Sequence, residues 1–323
     1  MTSTWLITGC AGFIGSNLAS HLLDRGVRVV GLDNYETGTR ENAARVAAKG
    51  GGRFRMVEGD IRDAALVGEL ATGAEVVVHL AAQVSVPRSM DDPRHTNAVN
   101  VDGFLNVLLA AGEARARKLV YASSCAVYGD NPALPLGERE APRPMSPYAA
   151  TKLINEHYAA TLTHRFPHTG AVGLRFFNVY GPWQSATGGY ASVIPRWVAN
   201  CLDGRRPPMF GDGTATRDFV EVGDVCAGIL CAAGLPGQAP RPAYNLGTGR
   251  PTSLLDLFAA IRDALAAKGR TLPFDGPERQ GERAGDILHS VADINAARTE
   301  LGYDPATDLT RGIARLFAEQ YGL

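Results

Sequence analysis

Residues 8–15 read T-G-C-A-G-F-I-G, a glycine-rich turn from which the fold class can be predicted. It ends a short apolar run at residues 4–8 and opens a helical pattern over residues 13–25, which a second apolar run at 27–32 follows. A strand, a tight glycine turn, a helix and a second strand within about thirty residues form a βαβ unit. Such a unit requires a parallel sheet, so the sequence predicts an α/β fold.

The same alternation continues along the chain. Further strands are predicted at residues 53–58, 76–80, 118–122 and 171–177, with helices near 64–70, 97–114 and 148–163. After residue 178 come short strands at 218–222 and 243–246 and helices at 192–202 and 253–267. We therefore predict a Rossmann-type doubly wound parallel sheet in residues 1–177 and a smaller C-terminal α+β substrate domain in residues 178–323. Some exchange of strands between the two is expected.

The bulk composition argues against several classes of protein. The 323 residues are 45% hydrophobic and 20% charged with a net charge of −1, which is typical of a globular protein without a nucleic-acid partner. No apolar run reaches about 18 residues, so neither a membrane span nor a signal peptide is predicted. Five cysteines without a C-x-x-C spacing indicate reduced thiols and a cytoplasmic location. The histidines form no metal-binding motif, and His79 is predicted to be a core residue.

The glycine turn is predicted to bind the pyrophosphate of a dinucleotide. Gly9, Gly12 and Gly15 permit the sharp turn, the approach of backbone N–H groups to phosphate, and close packing of helix on strand. Asp33 ends the second strand about twenty residues further on, where a carboxylate accepts hydrogen bonds from the adenosine ribose. It would repel a 2′-phosphate, so NAD is favoured over NADP. Arg40 lies close enough in sequence to leave NADP open.

Tyr148 and Lys152 are four residues apart in S-P-Y-A-A-T-K and share one face of a predicted helix. A free phenol has a pKa of about 10 and is a poor base at neutral pH. A nearby ammonium, together with the positive nicotinamide ring of bound NAD, would stabilise phenolate and lower that pKa. The phenolate could then take a hydroxyl proton while hydride leaves the same carbon. The pair and the glycine turn together predict redox chemistry.

With these motifs the chain resembles the extended short-chain dehydrogenase/reductase family, and within it the nucleotide-sugar epimerases. The matching runs, in order along the whole chain, are T-G-C-A-G-F-I-G, L-D-N, G-D-I-R-D, H-L-A-A-Q-V-S-V-P-R-S, S-S-C-A-V-Y-G, S-P-Y-A-A-T-K, L-R-F-F-N-V-Y-G-P, G-D-G-x-x-x-R-D-F and R-x-G-D. The resemblance implies a Rossmann domain with tightly held NAD that is regenerated in every turnover. It also implies a C-terminal sugar-nucleotide domain and a homodimer that pairs through the helices at 97–114 and 148–163.

The family match implies roles for individual residues around the cofactor. Ser124 would hydrogen-bond the sugar O4, Tyr148 would act as acid and base, and Lys152 would bind the nicotinamide ribose and tune Tyr148. Asp60 would meet the adenine, a role compatible with capping a helix. The implied cofactor contacts are Gly9, Gly12, Phe13, Ile14, Gly15, Asp33, Asn34, Asp60, Ile61, Leu80, Ala81, Ala82, Asn100, Tyr148 and Lys152.

The same match implies contacts to a UDP-sugar. Arg217 and Arg283 resemble the family's diphosphate ligands, because a guanidinium fork suits paired phosphate oxygens. Further implied contacts are Asn178 to the diphosphate, Asp286 to the uridine ribose, Val193, Met209 and Phe210 to uracil, and Ser85 and Arg88 to the sugar or its flanking loop. Surface ion pairs for the arginines, Arg88 included, and core roles for the uracil contacts stay open as alternatives.

Cys125 and Ala126, directly after Ser124, bear on which reaction follows the transient 4-keto sugar. Dehydratases and decarboxylases of the family carry acidic residues there; eliminating water, for example, needs one group to take a proton and another to give one. Alanine can do neither and a neutral thiol is a poor acid, which argues against both reactions. A 4-epimerase needs no such group. Cys125 would either pack as a small apolar residue or line the sugar pocket.

Position 290 indicates which sugar is accepted. In galactose-type epimerases of the family, the fourth position after the Asp of R-x-G-D often holds a tyrosine that excludes bulky 2-substituents; here it is Ser290. The runs S-V-P-R-S, Y-A-S-V-I-P and G-D-I-L-H-S-V-A-D look most like those of UDP-N-acetylglucosamine 4-epimerases. Interconversion of UDP-GlcNAc and UDP-GalNAc is therefore predicted. The alternatives are a UDP-glucose or UDP-glucuronate 4-epimerase, another NAD-dependent nucleotide-sugar enzyme such as a dehydratase, and a non-catalytic NAD-binding regulator.

Overall fold

The centre of the protein is a seven-stranded sheet in which neighbouring strands are parallel. The computed structural model describes residues 3–186, 192–281 and 287–323. The strands of this sheet are Thr4–Thr8 (β1), Arg28–Asp33 (β2), Phe54–Glu58 (β3), Val76–His79 (β4), Lys118–Ser124 (β5), Gly170–Phe176 (β6) and Ala243–Leu246 (β11). Their order across the sheet is β11-β6-β5-β4-β1-β2-β3.

Helices cover both faces of this sheet. The α-helices of the described residues are Phe13–Asp24 (α1), Arg40–Gly50 (α2), Ala64–Ala71 (α3), Val86–Asp91 (α4), Pro93–Asn97 (α5), Gly103–Glu113 (α6), Pro147–Leu162 (α7), Val193–Leu202 (α8), Val222–Gly234 (α9), Leu254–Ala266 (α10) and Leu309–Tyr321 (α11), and not all of them lie on this sheet. In β4, Val76 and Val78 join the core under α1 and α9, whereas Val77 joins the core under α3 and α6. Because successive side chains of a strand point to opposite faces, a strand covered on both sides is apolar at every position.

Shorter strands pair two by two outside the large sheet. They are Asn178–Tyr180 (β7) with Phe219–Glu221 (β10), Pro208–Phe210 (β8) with Glu278–Gln280 (β13), and Thr216–Arg217 (β9) with Thr252–Ser253 (β12). The helices α8, α10 and α11 enclose a further core that contains Ile194, Trp197, Leu257, Ile261 and Phe317. This part of the chain carries most of the predicted substrate contacts.

The predicted α/β fold is confirmed, and the strands of the large sheet lie within two residues of their predicted ends. The helix predicted at 97–114 differs, because a π-helical segment, Ala98–Asp102, lies between α5 and α6. The extra residue of a π-turn places Asn100 toward the loop after β4, where its side chain hydrogen-bonds the backbone of Gln83.

The strand β11 lies beyond the predicted domain boundary and yet forms one edge of the large sheet, beside β6. A strand from the C-terminal part of the chain therefore completes the large sheet, and the division at residue 177, with the strand exchange expected there, stays a prediction. Over the described ranges, no helix is both long and apolar enough to cross a membrane. Over the same ranges, no three His, Cys, Asp or Glu side chains are grouped to hold a metal ion.

Candidate active site

The loop between β1 and α1 can adopt its tight turn only because of its glycines. Gly9 has a φ of 72°, in the left-handed region that other residues rarely adopt, and a Cβ there would lie 2.6 Å from the Ala81 nitrogen. A Cβ on Gly15 would collide with the Gly9 carbonyl oxygen. These two glycines therefore let the loop pack closely against the loop after β4 and against itself.

The first turn of α1 is able to bind an anion. Gly12 is its N-cap residue and, among the described residues, no side chain caps it. The first backbone N–H groups of a helix have no acceptor within the helix, and the positive end of the helix dipole lies beside them. Phe13, Ile14 and Gly15 supply these groups. The residues present therefore fit the pyrophosphate of NAD.

The carboxyl end of β2 carries the residues predicted for the adenosine half. Asp33 is buried and accepts N–H groups from Ala11 at 2.9 Å and Tyr35 at 2.8 Å, and burial raises the pKa of its carboxyl. Arg40 is the residue that kept NADP as an alternative cofactor in the sequence analysis. It donates to Glu58 at 2.9 Å and lies over the Tyr35 ring. Its charge is therefore already paired, which favours a ribose without a 2′-phosphate.

Asn34 and Asp60 face each other from the ends of β2 and β3, with the Asn34 amide donating to Asp60 at 2.8 Å. Hydrogen bonds from Arg62 hold the pKa of the Asp60 carboxyl well below its usual range. Ile61 is buried, and a Cβ on Gly103 would touch it. The structure thus brings the predicted adenine-side residues together on one edge of the sheet.

The loop after β4 borders the glycine loop and is tied to α7. It includes Leu80, Ala81 and Ala82, and the Leu80 N–H donates to the Thr8 carbonyl at 3.1 Å. Asn100 pairs with both backbone groups of Gln83, at 2.8 and 2.9 Å, and donates to Thr151 of α7 at 3.1 Å. In this structure the Asn100 side chain holds the loop in place; its predicted contact with the cofactor stays a prediction.

Ser124, Tyr148 and Lys152 come together where β5 ends against α7. A hydrogen bond links the Ser124 and Tyr148 hydroxyls. The Lys152 ammonium lies 5.9 Å from the centre of the Tyr148 ring and donates to the Ala122 carbonyl at 2.9 Å. This arrangement can hold a substrate hydroxyl at two oxygens and move its proton to one of them.

The pKa of Tyr148 differs from the sequence-based expectation. The sequence predicts a lowered value from Lys152 and the nicotinamide ring acting together. With the protein's own groups alone, burial of the phenol outweighs the hydrogen bond from Ser124 and raises the pKa of Tyr148 to about 12. Burial also lowers the pKa of Lys152 to about 8, so its charge is present below that pH and is lost above it. A buried phenol next to a buried ammonium responds strongly to any further positive charge.

His79 lies in the core, as predicted. Its Nδ1 is 2.8 Å from the Thr8 hydroxyl, and its ring packs on Phe104. Burial and the Lys152 charge lower the pKa of His79 to about 3, so the ring is neutral.

Cys125, Arg217 and Ser290 come together beside Ser124. Ser290 is buried and hydrogen-bonds the Cys125 thiol, whose pKa burial raises to about 12. The Ser290 N–H donates to the Thr216 carbonyl at 3.1 Å. The same carbonyl accepts from Arg217 at 2.9 Å, and the Arg217 charge acts on the thiol. Position 290 is therefore next to the residue that follows the predicted catalytic serine.

The other predicted substrate contacts are spread along the second half of the chain. Asn178 begins β7, Val193 begins α8, and β8 carries Met209, which is buried, and Phe210, which is partly exposed. Arg283 and Asp286 lie outside the described residues. Their roles, like those of every predicted site residue, stay predictions.

Ser85 and Arg88 have partners within the protein. The Ser85 hydroxyl caps α4 by accepting the Arg88 N–H at 3.1 Å. The Arg88 guanidinium lies 2.6 Å from Glu36, so the ion-pair alternative is the one that the structure contains. Glu36 itself was not singled out from the sequence.

Sequence reasoning also missed a buried ion pair beside the catalytic residues. Glu156, one turn after Lys152 on α7, accepts from Arg175 of β6 at 2.9 and 2.7 Å. It also accepts from Ser123, the neighbour of Ser124, at 2.5 Å. An arginine in the otherwise apolar run A-V-G-L-R-F was the available signal, because a charge in a covered strand needs a buried partner.

Comparison with known proteins assigns the chain to a family. A model of the NAD dependent epimerase/dehydratase family matches residues 5–247. The chain is 41% identical over 312 residues to the UDP-glucose 4-epimerase of Mycolicibacterium smegmatis, and the match covers 96% of each protein.

Two solved structures are similar over nearly their whole length. The UDP-N-acetylglucosamine 4-epimerase from Methanobrevibacter ruminantium M1, in complex with UDP-N-acetylmuramic acid, has a TM-score of 0.88 at 31% identity and covers 99% of this chain and 100% of that one. The UDP-glucose 4-epimerase of Thermus thermophilus, in complex with NAD, has a TM-score of 0.83 at 33% identity and covers 98% of each chain. The predicted dependence on NAD is confirmed, and the chain belongs to the NAD-dependent epimerase/dehydratase family.

Proposed function

We propose that this protein interconverts UDP-sugars that differ at C4, and that its preferred pair is UDP-GlcNAc and UDP-GalNAc. The chain is an NAD-dependent UDP-sugar 4-epimerase, as its sequence predicts and as the names of its relatives support. The preference for N-acetylated sugars is the finer part of the proposal and rests on position 290.

The proposed chemistry at C4 needs one proton transfer in each direction. Ser124 and Tyr148 would bind the sugar O4, and the Tyr148 oxygen would take its proton and later return it. When bound, NAD would supply the hydride acceptor and donor for C4, and the keto sugar would turn between the two transfers so that its other face receives the hydride. Lys152, buried beside Tyr148, would supply the positive charge that stabilises phenolate. Lys152 is buried, whereas Ser124 and Tyr148 are half-buried and so remain accessible to a substrate.

The residues after Ser124 support epimerisation over dehydration. The pKa of Cys125 is raised to about 12 by burial, so the thiol stays protonated at neutral pH and is a poor base. Ala126 donates its backbone N–H to Ser124 at 3.1 Å and has no functional side chain. Neither residue supplies the acid or base that an elimination requires.

The observation that carries the substrate preference is the contact between Ser290 and Cys125. It puts a small side chain at the predicted border of the sugar pocket, beside the catalytic residues. A tyrosine at this position would add a ring of several ångströms to the same space, whereas serine leaves room for a 2-acetamido group. The relative from Mycolicibacterium smegmatis, named a UDP-glucose 4-epimerase, keeps UDP-glucose as the main alternative. The other alternative, a UDP-glucuronate 4-epimerase, would in addition need a cation near the C6 carboxylate of its sugar.

The proposal includes a homodimer and a cytoplasmic location. The two subunits would pair through α6 and α7, the long helices that correspond to the predicted pairing elements. Because α7 also carries Tyr148 and Lys152, pairing there would brace the catalytic helix.

The test of the function is an NMR time course of the purified protein with UDP-GlcNAc, and separately with UDP-glucose and UDP-glucuronate, without added NAD. Formation of UDP-GalNAc faster than conversion of the other two is expected. Conversion of UDP-glucose alone would keep the 4-epimerase and reject the preference. No conversion of any of the three, with NAD bound, would reject the 4-epimerisation of these sugars.

Replacing Ser290 by tyrosine should reduce kcat/KM for UDP-GlcNAc about 10- to 100-fold more than for UDP-glucose. In the complex with UDP-GlcNAc, the added ring and the 2-acetamido group would compete for the same space, and such overpacking costs about 1–3 kcal/mol; UDP-glucose has no such group. The measurement is kcat/KM for both sugars in each variant. Ser290→Ala is the matched control and should leave the ratio of the two values unchanged, because it alters the hydroxyl and not the bulk. Equal losses on both sugars in Ser290→Tyr would contradict the role of position 290.

A further inference from the structure

An ion pair joins the loop after β2 to the helices that follow β4. Arg88 Nη1 lies 2.6 Å from Glu36 Oε1, and His95 Nε2 lies 3.1 Å from the same oxygen. Glu36 belongs to the loop between β2 and α2, whereas Arg88 is on α4 and His95 is on α5. We call these three residues the Glu36 bridge.

The Glu36 bridge crosses the glycine loop. In the sheet β1 lies between β2 and β4, so the loop that follows β1 runs between the two ends of the bridge. On the β2 side, the Thr39 N–H donates to the Ala11 carbonyl at 3.0 Å and ties the Glu36 loop to the glycine loop. Ligands of open α/β sheets bind at the carboxyl ends of the strands, which is the edge where the bridge lies.

Both ends of the bridge are held by local hydrogen bonds. The Glu36 N–H donates to the Asn34 side chain at 3.0 Å, and the Arg88 N–H donates to Ser85 at 3.1 Å. The N-cap residue of α5 likewise accepts the His95 N–H at 3.0 Å. The three side chains are only 20–38% exposed, so the pair is better shielded from water than an ordinary surface ion pair.

We propose that the Glu36 bridge retains NAD in its site between turnovers. A 4-epimerase returns its NAD to the starting oxidation state in every turnover, so the cofactor never needs to leave. This explanation of why NAD is retained rests on the proposed function, whereas the retention itself requires only that the protein binds NAD. Because the Arg88 guanidinium is paired with the Glu36 carboxylate, Arg88 would act at the cofactor site and would not bind the sugar. The bridge must open before the cofactor passes between the loops after β2 and β4, so breaking it speeds release.

The test is the rate of NAD release from the purified holoprotein. Each variant is mixed with a large excess of isotopically labelled NAD, and the unlabelled NAD that remains bound is measured over time by mass spectrometry. Glu36→Gln is expected to release NAD about tenfold faster, because the hydrogen bonds to a charged partner are weakened. Glu75→Gln is the matched control. It breaks the Arg117–Glu75 pair at 3.2 Å, which lies at the amino ends of β4 and β5, opposite the edge where the bridge lies.

Arg88→Met should speed release as much as Glu36→Gln, and the double variant should be no faster than either, since both changes break one link. Release from Glu36→Gln at the wild-type rate, or equal acceleration in Glu75→Gln, would overturn the proposal. So would an Arg88→Met variant with unchanged NAD release and a raised KM for the UDP-sugar. The release assay contains no sugar, so its result tests the role of the bridge alone. The proposed epimerisation is tested separately by the NMR time course.

Discussion

Replacing Tyr148 by phenylalanine is expected to lower kcat by about 10²- to 10⁴-fold while the protein keeps its NAD. The change removes the oxygen that exchanges the proton, and it leaves the ring and the Lys152 contact with the Ala122 carbonyl in place. Ser124 cannot take over this role, because an ordinary serine hydroxyl is a far weaker acid than a phenol. The measurements are kcat on the best UDP-sugar and the NAD content of the purified variant.

Tyr158→Phe is the matched control for this experiment. Tyr158 lies on the same helix, packs against the core under α3 and α6, and has no part in the proton transfer. It should leave kcat within a few-fold of the wild type. If Tyr148→Phe kept a tenth or more of the wild-type kcat, another group would be the acid and base, and the proposed mechanism would be wrong. Loss of turnover with NAD retained would exclude the non-catalytic regulator.

Replacing Arg175 by methionine is expected to lower the free energy of unfolding by about 3–5 kcal/mol. Arg175 is 5% exposed and Glu156 4% exposed, so the change leaves a buried carboxylate whose described hydrogen-bond donor is Ser123. The same change removes the hydrogen bond at 2.7 Å from Arg175 to the Tyr128 hydroxyl. Urea unfolding of the purified variant, followed by circular dichroism, measures the loss.

Arg205→Met provides the same substitution in an exposed pair. Arg205 and Asp203 are 2.6 Å apart, but their side chains are 66% and 59% exposed, so a loss below about 1 kcal/mol is expected. The double variant Arg175→Met with Glu156→Gln should be more stable than the sum of the single losses predicts, because it no longer buries an unpaired charge. A loss in Arg175→Met no larger than in Arg205→Met would show that the buried pair is not essential to the fold.

Much of the large sheet could be predicted because its signals are local. A covered parallel strand is apolar at every position, and the glycine turn at residues 8–15 identifies the first βαβ unit without any tertiary information. The place of β11 could not be predicted, because its pairing with β6 is a long-range contact that four residues do not encode. The π-helical segment at Ala98–Asp102 was also missed because its contacts are long-range: the Asn100 side chain within it hydrogen-bonds Gln83 and Thr151.

In the site, sequence reasoning identified the residue types and missed their partners. Tyr148 and Lys152 share a helix, so their proximity follows from spacing alone, whereas the raised pKa of Tyr148 follows from burial, which spacing does not show. Arg88 was singled out, but its partner Glu36 lies on a different loop and meets it only in three dimensions. The contact between Cys125 and Ser290 likewise joins two distant parts of the chain.

The position of β11 at the edge of the sheet has a consequence for how the chain is made. As the protein leaves the ribosome, β6 emerges with one side paired to β5 and the other side bare, and everything from β7 to α9 must follow before β11 arrives to cover it. Until then a largely apolar strand presents unpaired backbone groups, which is the kind of edge that recruits other chains. A nascent chain halted after the first half would therefore be a client for chaperones and not a finished nucleotide-binding unit.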